Sequence, residues 1–374
     1  MKIFLCGDVM TGRGVDQVLP NPCPPDLHEP FMNSAVGYLR LAEQANGPIP
    51  RPVDLDYIWG AAIEEWARVR PQARVINLET SITRSDEYWP KGINYRMSPE
   101  NAACLKRAAI DCCALANNHV LDWGSSGLLD TLDALGGMGV KTAGAGRNLS
   151  EAMAPAALDI GGEGRLLVFS IASVSSGVPD DWAATADAPG VNLLSSFSED
   201  VASAVARQII AIRRPGDFVV VSIHWGPNWG YEVPNDERRF AHALIEQAGV
   251  SIVHGHSSHH AKAIEVFNDR LILYGCGDFL NDYEGIGSEE AYRGDLALMY
   301  FADLDANSGA IQSLEMTPLA IRRLRLVRPS AADVAWLRET LNRESAPFGV
   351  HVTPVQDGRF AVSWERGRHA KRRH

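Results

Sequence analysis

The sequence predicts an α/β fold, and three observations carry the prediction. Short apolar, β-favouring runs at residues 2–6, 74–78, 111–116 and 218–223 each end in glycine or a polar loop. Most are followed by a stretch with apolar residues three and four apart, and that strand, loop, helix repetition is the sign of an α/β unit. The 374 residues are 46% hydrophobic and 22% charged, ordinary globular proportions that allow a large core and exclude a disordered, collagenous or coiled-coil chain.

In chain order, the 2–6 strand precedes Gly7-Asp8, and five prolines without periodicity make 16–30 a long loop. Helical spacing covers 31–46 and 57–70, the latter with Ile58, Ala62, Trp66 and Val69 on one face. A strand at 74–78 leads to a polar loop over 80–95. Pro99 suits the first turn of a helix reaching residue 109, because the N–H it lacks has no helical partner there. The 111–116 strand ends in Asn117-Asn118-His119, and Leu128, Leu132 and Leu135 mark the next helix. Apolar runs at 156–160 and 166–170 flank a glycine-rich turn and predict a hairpin.

After the 175–189 loop, Val201, Val205, Ile209 and Ile212 define a helix over 198–213, and the 218–223 strand delivers His224. Asn235 is placed to cap a helix that turns Phe240, Leu244 and Ala248 inward, and a strand at 251–253 delivers His254. Strand pairs are expected at 261–267 with 271–274, and at 295–301 with 311–319; a helix at 331–342 and a hairpin over 350–364 follow. Residues 1–304 read as a catalytic domain and 305–365 as an accessory region packed on it. The last residues, 366–374, with five Arg or Lys, read as a flexible basic tail.

The formal net charge of -11 discourages non-specific binding to nucleic acid. No run of 18 uncharged apolar residues is present, so the expectation is a cytoplasmic chain without a membrane span, acting on a small-molecule or peptide substrate. Oligomeric state is not legible. The six cysteines, Cys6, Cys23, Cys104, Cys112, Cys113 and Cys276, form no CxxC pair and read as reduced core residues.

Metal-competent side chains recur at the C-terminal ends of the predicted strands: Asp8, Glu79, Asn118 with His119, His224, and His254 with His256. Loops converge at that edge of an open α/β sheet while the strands hold their roots rigid. Singly, Asp8 could be a turn cap and His224 a packed core histidine. Together, carboxylate, amide and imidazole donors imply one or two divalent ions, and suit Mn, Zn, Fe or Co rather than Ca. Four histidines between residues 254 and 260 have few purely structural uses.

The segments Cys6-Gly7-Asp8-Val9-Met10, Asn77-Leu78-Glu79, Asn117-Asn118-His119-Val120-Leu121-Asp122-Trp123-Gly124, His224-Trp225-Gly226, His254-Gly255-His256 and Leu273-Tyr274-Gly275-Cys276-Gly277-Asp278-Phe279 run in the order found in one family. The sequence resembles the CapA-like branch, of poly-gamma-glutamate capsule synthesis type, of the calcineurin-like metallophosphoesterases, over roughly residues 1–300. The resemblance implies a four-layer α-β-β-α sandwich of two mixed sheets. It implies Asp8 and His256 on a first metal, Glu79 bridging, and Asn118, His224 and His254 on a second. His119 becomes the acid that protonates a leaving oxygen, with Asp122 as its partner. The superfamily's usual Asp-x-His is Asp8-Val9-Met10 here, which leaves the first position with Asp8, Glu79 and His256 and makes it a weak or empty one.

On the substrate side, Trp225, Trp229 and Tyr231 read as an aromatic loop that could stack on a ligand, and Glu232 as a general base or amine contact. Arg13, between two glycines, and Arg96 are candidate anion contacts; Asp278 is a candidate to orient His254 or His256 from behind. The expected function is a metal-dependent hydrolase of a phosphoester or peptide-like substrate. Two alternatives stand beside it: a peptide epimerase abstracting a Cα proton, and a metal-stabilised binding protein without catalysis.

Overall fold

The first strand, Lys2–Val9, shows why the chain layers as it does. Its side chains alternate: Ile3 and Leu5 pack with Val168, Val220 and Ile252, whereas Phe4 and Cys6 pack with Trp59, Trp66 and Leu105. Buried on both faces, it must lie inside a covered sheet, which is why it reads as an unbroken apolar run. A computed structural model describes residues 1–161, 164–287 and 290–365.

The fold is α/β with two large mixed sheets. In the first, Lys2–Val9 lies between Ala73–Leu78, parallel to it, and Leu296–Leu304, antiparallel; Cys112–Ala114 and Lys141–Ala143 continue one edge in parallel. In the second, Arg165–Ser173, Phe218–His224, Ile252–His256 and Arg270–Leu273 run parallel side by side. The outer face of this second sheet packs Phe169, Val219 and Val221 against Ala202, Ile209, Phe240 and Leu244 of helices Glu199–Ile212 and Asn235–Ala248.

The expected hairpins form at Ala156–Asp159 with Arg165–Ser173, at Ile264–Phe267 with Arg270–Leu273, and at Val350–Pro354 with Phe360–Trp364. That last pair extends the first sheet through Ile311–Ile321, so the expected accessory region continues the main sheet. The expected basic tail at 366–374 lies outside the described residues.

Local expectations fail where side chains compete with the helix. Only Ala103–Arg107 is α-helical in the 99–109 stretch, because Asp16 accepts from the Ser98 N–H and the Asn101 side chain and holds the preceding turns. The 31–46 helix starts at Val36, after the Ala35 N–H is tied to the Pro25 carbonyl. Asn235 is the first helical residue rather than the cap, a place taken by Pro234 in an extended conformation. All six cysteines are buried and free.

Candidate metal centre

Strand register assembles the site. Asp8 pairs laterally with Asn77 on one neighbour and Asp278 on the other, so three polar side chains meet at one sheet edge. Gly7 is required just before Asp8, since a Cβ there would sit 1.6 Å from the Gly277 carbonyl oxygen. In the second sheet Ser222 pairs with His254 and His224 with His256. Val220 and Ile252 face the first sheet, and strand alternation puts Ser222, His224, His254 and His256 on that same inner face.

Among the described residues two donor groups result, and they share a carboxylate. Asp8, His224 and His256 offer atoms all within 4.8 Å of one another; so do Asp8, His259 and Asp278. Asn77 Nδ2 donates to both Asp8 Oδ1 at 2.8 Å and Glu79 Oε2 at 2.9 Å, and Ser257 N–H donates to Asp8 Oδ2 at 3.2 Å. His224 Nε2 lies 3.1 Å from Asn118 Oδ1. Asn117 in turn holds the scaffold, donating to Asn77 Oδ1 and the Leu78 carbonyl.

The electrostatics fit a cation. Burial, with Asp278 next, pushes the Asp8 carboxyl up to about 7. Glu79 is raised well above the usual range by burial and then by Asp8 and Asp278. Burial alone is the largest influence depressing His224 and His256, leaving neutral imidazoles whose Nδ1 atoms face each other at 2.8 Å. Acids resisting ionisation beside neutral imidazoles form a donor set that a divalent ion would satisfy.

A chain of hydrogen bonds behind His256 sets its tautomer. His254 Nε2 faces the Cys6 carbonyl at 2.7 Å and must donate, so its Nδ1 accepts from the Ser222 hydroxyl at 3.1 Å. Ser222 Oγ is then free to accept from His256 Nε2 at 2.8 Å, which leaves the His256 Nδ1 lone pair facing Asp8 and His224.

His119 stands at the rim. Its Nδ1 is 2.6 Å from Asp122 Oδ2, and its Nε2 is 3.9 Å from Glu79 Oε1. Lys91 pairs with Asp122 Oδ1 at 2.8 Å and donates to the Asn118 carbonyl. Burial pulls the His119 pKa down to about 4, against the pull of Asp122 and with help from Lys91.

Several expected site residues are placed elsewhere. His254 belongs to neither donor group, since both ring nitrogens are spent as described. Asp278 reaches neither His254 nor His256 and instead lies 2.9 Å from His259 Nδ1. Met10 is buried, with its sulfur accepting from the Tyr283 hydroxyl. Trp225 is a core residue whose indole donates to the Tyr274 carbonyl, so it does not line the site. Arg13 is enclosed by Asp282 and Glu29, and Arg96 braces the 80–95 loop through Ser85 and Asp86 while lying 3.9 Å over Trp123. Glu232 is exposed, its carbonyl accepting from Lys262 and its charge acting on the same ammonium. Trp229 packs near His259, and Tyr231 against His260. His259, Asn77 and Ser222 join the site unforeseen as such, and Lys91 joins it through Asp122 and the Asn118 carbonyl. The run from 254 to 260 held the signal for His259, but the turn that brings it back, with Ser257 at φ +103°, is not written in residue type.

The family model for bacterial capsule synthesis protein PGA_cap matches residues 2–283. The chain belongs to the PGA_cap family. This PGA_cap chain is 48% identical, over 97% of its length and 96% of the relative's, to a probable polyglutamine synthesis accessory protein of Mycobacterium tuberculosis. It is 28% identical to the capsule biosynthesis protein CapA of Bacillus anthracis, over 75% of this chain and 60% of that one. To the PGA biosynthesis protein CapA of Bacillus subtilis it is 29% identical, over 55% and 52%. The PGA_cap match spans every strand end that contributes a donor, from Asp8 to Asp278. Among the described residues of this PGA_cap protein, no helix is long and apolar enough to cross a membrane.

Proposed function

We propose that this protein is a metal-dependent hydrolase of a phosphoester or peptide-like bond, working in the cytoplasm. The observation that carries the reading is the pair of donor groups joined at Asp8, with His119 turned toward Glu79. Its architecture reads as the four-layer calcineurin-like plan, supported by the two-faced packing of Lys2–Val9 and of Phe218–His224. Residues 1–304 form the catalytic unit and 305–365 the accessory one.

One ion would be held by Asp8, His224 and His256 with Asn118 beside them, and the other by Asp8, His259 and Asp278, with Glu79 joined to Asp8 through Asn77 rather than bridging; His256 takes the place expected of His254 beside His224 and Asn118, and His259 the place expected of His256. Divalent cations in these positions supply Lewis-acid polarisation of a substrate oxygen and activation of water. The protein's own groups do the rest. Asp122 fixes the His119 ring so that Nε2 faces the centre and can exchange a proton with the reacting group. Lys91 keeps the Asp122 carboxylate and the Asn118 backbone in place. Tyr95 and Tyr283, hydrogen-bonded to each other, pack edge-on against His119 and His259 and brace both rings.

Metal analysis of the purified protein, combined with turnover of a phosphodiester and peptide panel before and after chelation, tests this. Metal bound at up to two equivalents, with turnover lost on chelation and in Asn118→Ala, is expected; turnover indifferent to both removes the hydrolase reading. A second reading, Cα epimerisation of a peptide, is favoured by the neutral resting state of His119, which can accept a proton at Nε2. Solvent deuterium appearing at Cα without bond cleavage would select it.

A further inference from the structure

A cavity of about 700 Å³ opens beside the metal centre, with His259 and Tyr283 at its inner end and Trp229 along one wall. Its mouth carries Phe31, 66% exposed, Ile93 at 38% and Ile286 at 37%, three large apolar side chains that a monomer gains nothing by presenting to water. The volume is that of a pocket for a short peptide or drug-sized molecule, well beyond what an isolated phosphate or free amino acid needs.

The charges along this cavity are already spent. Arg13 is bound by Asp282 and Glu29 and sandwiched between the Tyr38 and Tyr95 rings. Arg293 pairs with Asp295 and Asp333, and Arg322 with the same Asp295. Glu284 adds an acid, held by the Arg323 and Leu324 N–H groups. Among the described residues, a polyanionic chain entering here would meet no unpaired cation and at least one carboxylate. Beside His259, whose N–H donates to its carbonyl, Asn228 is exposed and carries a side-chain amide ready to pair with a peptide group.

We propose that this cavity binds an uncharged peptide segment with bulky apolar side chains, placing the adjoining bond or Cα at the metal centre, and that it disfavours polyglutamate-like chains. The proposal rests on the reading of the centre given above for what happens to the bound segment, but not for binding itself.

The test is therefore made on full-length protein after chelation, where no turnover contributes. Titration calorimetry would compare N-acetyl-Phe-Leu-Phe-amide, a capped γ-linked tetraglutamate and dodecanamide, at low and high salt. Expected is binding of the apolar peptide that changes little with salt, and tetraglutamate weaker by about tenfold or more. The double variant Phe31→Glu/Ile286→Glu lies on the exposed rim, where folding is not at risk. It should weaken the tripeptide about tenfold. Tighter, salt-sensitive binding of tetraglutamate overturns the proposal; so does absence of tripeptide binding, or tripeptide binding unchanged in the variant. Preference for dodecanamide overturns the peptide assignment. Absence of any turnover by the metal-loaded protein, with these binding results intact, would sink the hydrolase reading alone.

Discussion

The two halves of the metal centre share Asp8 and differ in almost everything else. His224 and His256 project from adjacent parallel strands, in register, and burial keeps both neutral. Behind them Ser222 and His254 fix one tautomer through to the Cys6 carbonyl. The other half pairs an imidazole with a carboxylate, His259 with Asp278, and there Asp278 more than offsets burial, so the His259 pKa is raised. His259 also lies past the strand end, on the wall of the large cavity. The difference teaches that the first half presents two neutral imidazoles to the shared carboxylate, whereas in the second the imidazole is already engaged by a carboxylate of its own.

The sharpest way to break this comparison is to remove what the halves share. Asp8→Asn should abolish metal binding at both, reducing bound metal by more than the roughly 10- to 100-fold typical of an outer partner; metal analysis that finds one equivalent retained would show the halves to be independent. Next in size, His256→Ala and His259→Ala should each remove one of two equivalents, read by calorimetric stoichiometry. If either variant loses both ions, the halves are one cooperative site.

Ser222→Ala sharpens the contrast, because only one half has a hydrogen-bonded chain behind it. It should weaken metal binding at the His224 and His256 half by about 10- to 100-fold, leave the His259 half unchanged, and be rescued by Ser222→Thr. Nitrogen-15 spectra of the histidines should show His256 protonated at Nε2 in the parent protein and a mixture of tautomers in Ser222→Ala. A parent spectrum with the proton on Nδ1 would refute the assignment.

The smallest expected effect is a pH slope in the metal-free protein. Burial holds Asp8 at about 7, whereas in the unfolded chain it titrates near 4. Between those values the native state keeps a proton that the unfolded state has lost, so stability falls as pH rises, by up to ~1.4 kcal/mol per pH unit for this one group. Above pH 7 its contribution levels off. Denaturant melts from pH 4.5 to 7 should show the decline, and saturating metal should flatten it; an upward slope in the chelated protein contradicts the burial argument.

Strand ends proved the most readable feature of the chain. Asp8, Glu79, Asn118, His224 and His256 stand where glycine and polar breaks follow apolar runs, and the structure brings them to one edge. Positions two residues further down a strand, or three beyond its end, were not readable. His254 and His256 are chemically identical and both point inward, yet one pleat of depth makes the former a partner of Ser222 and the Cys6 carbonyl. Arg13 and Trp225 looked like ligand contacts by residue type, but Glu29, Asp282 and the Tyr274 carbonyl, all distant in sequence except Glu29, had already claimed them.

By itself, then, the amino-acid order determined the α/β class, the approximate strands and the edge at which donors collect, since these follow from local apolar periodicity and from where it stops. Tertiary structure decided which imidazole presents a lone pair, which carboxylate is shared, and which arginines remain free to meet a ligand. Those outcomes depend on hydrogen-bond and ion-pair partners brought from other strands, and a side chain's chemistry is settled only when the groups beside it have been named.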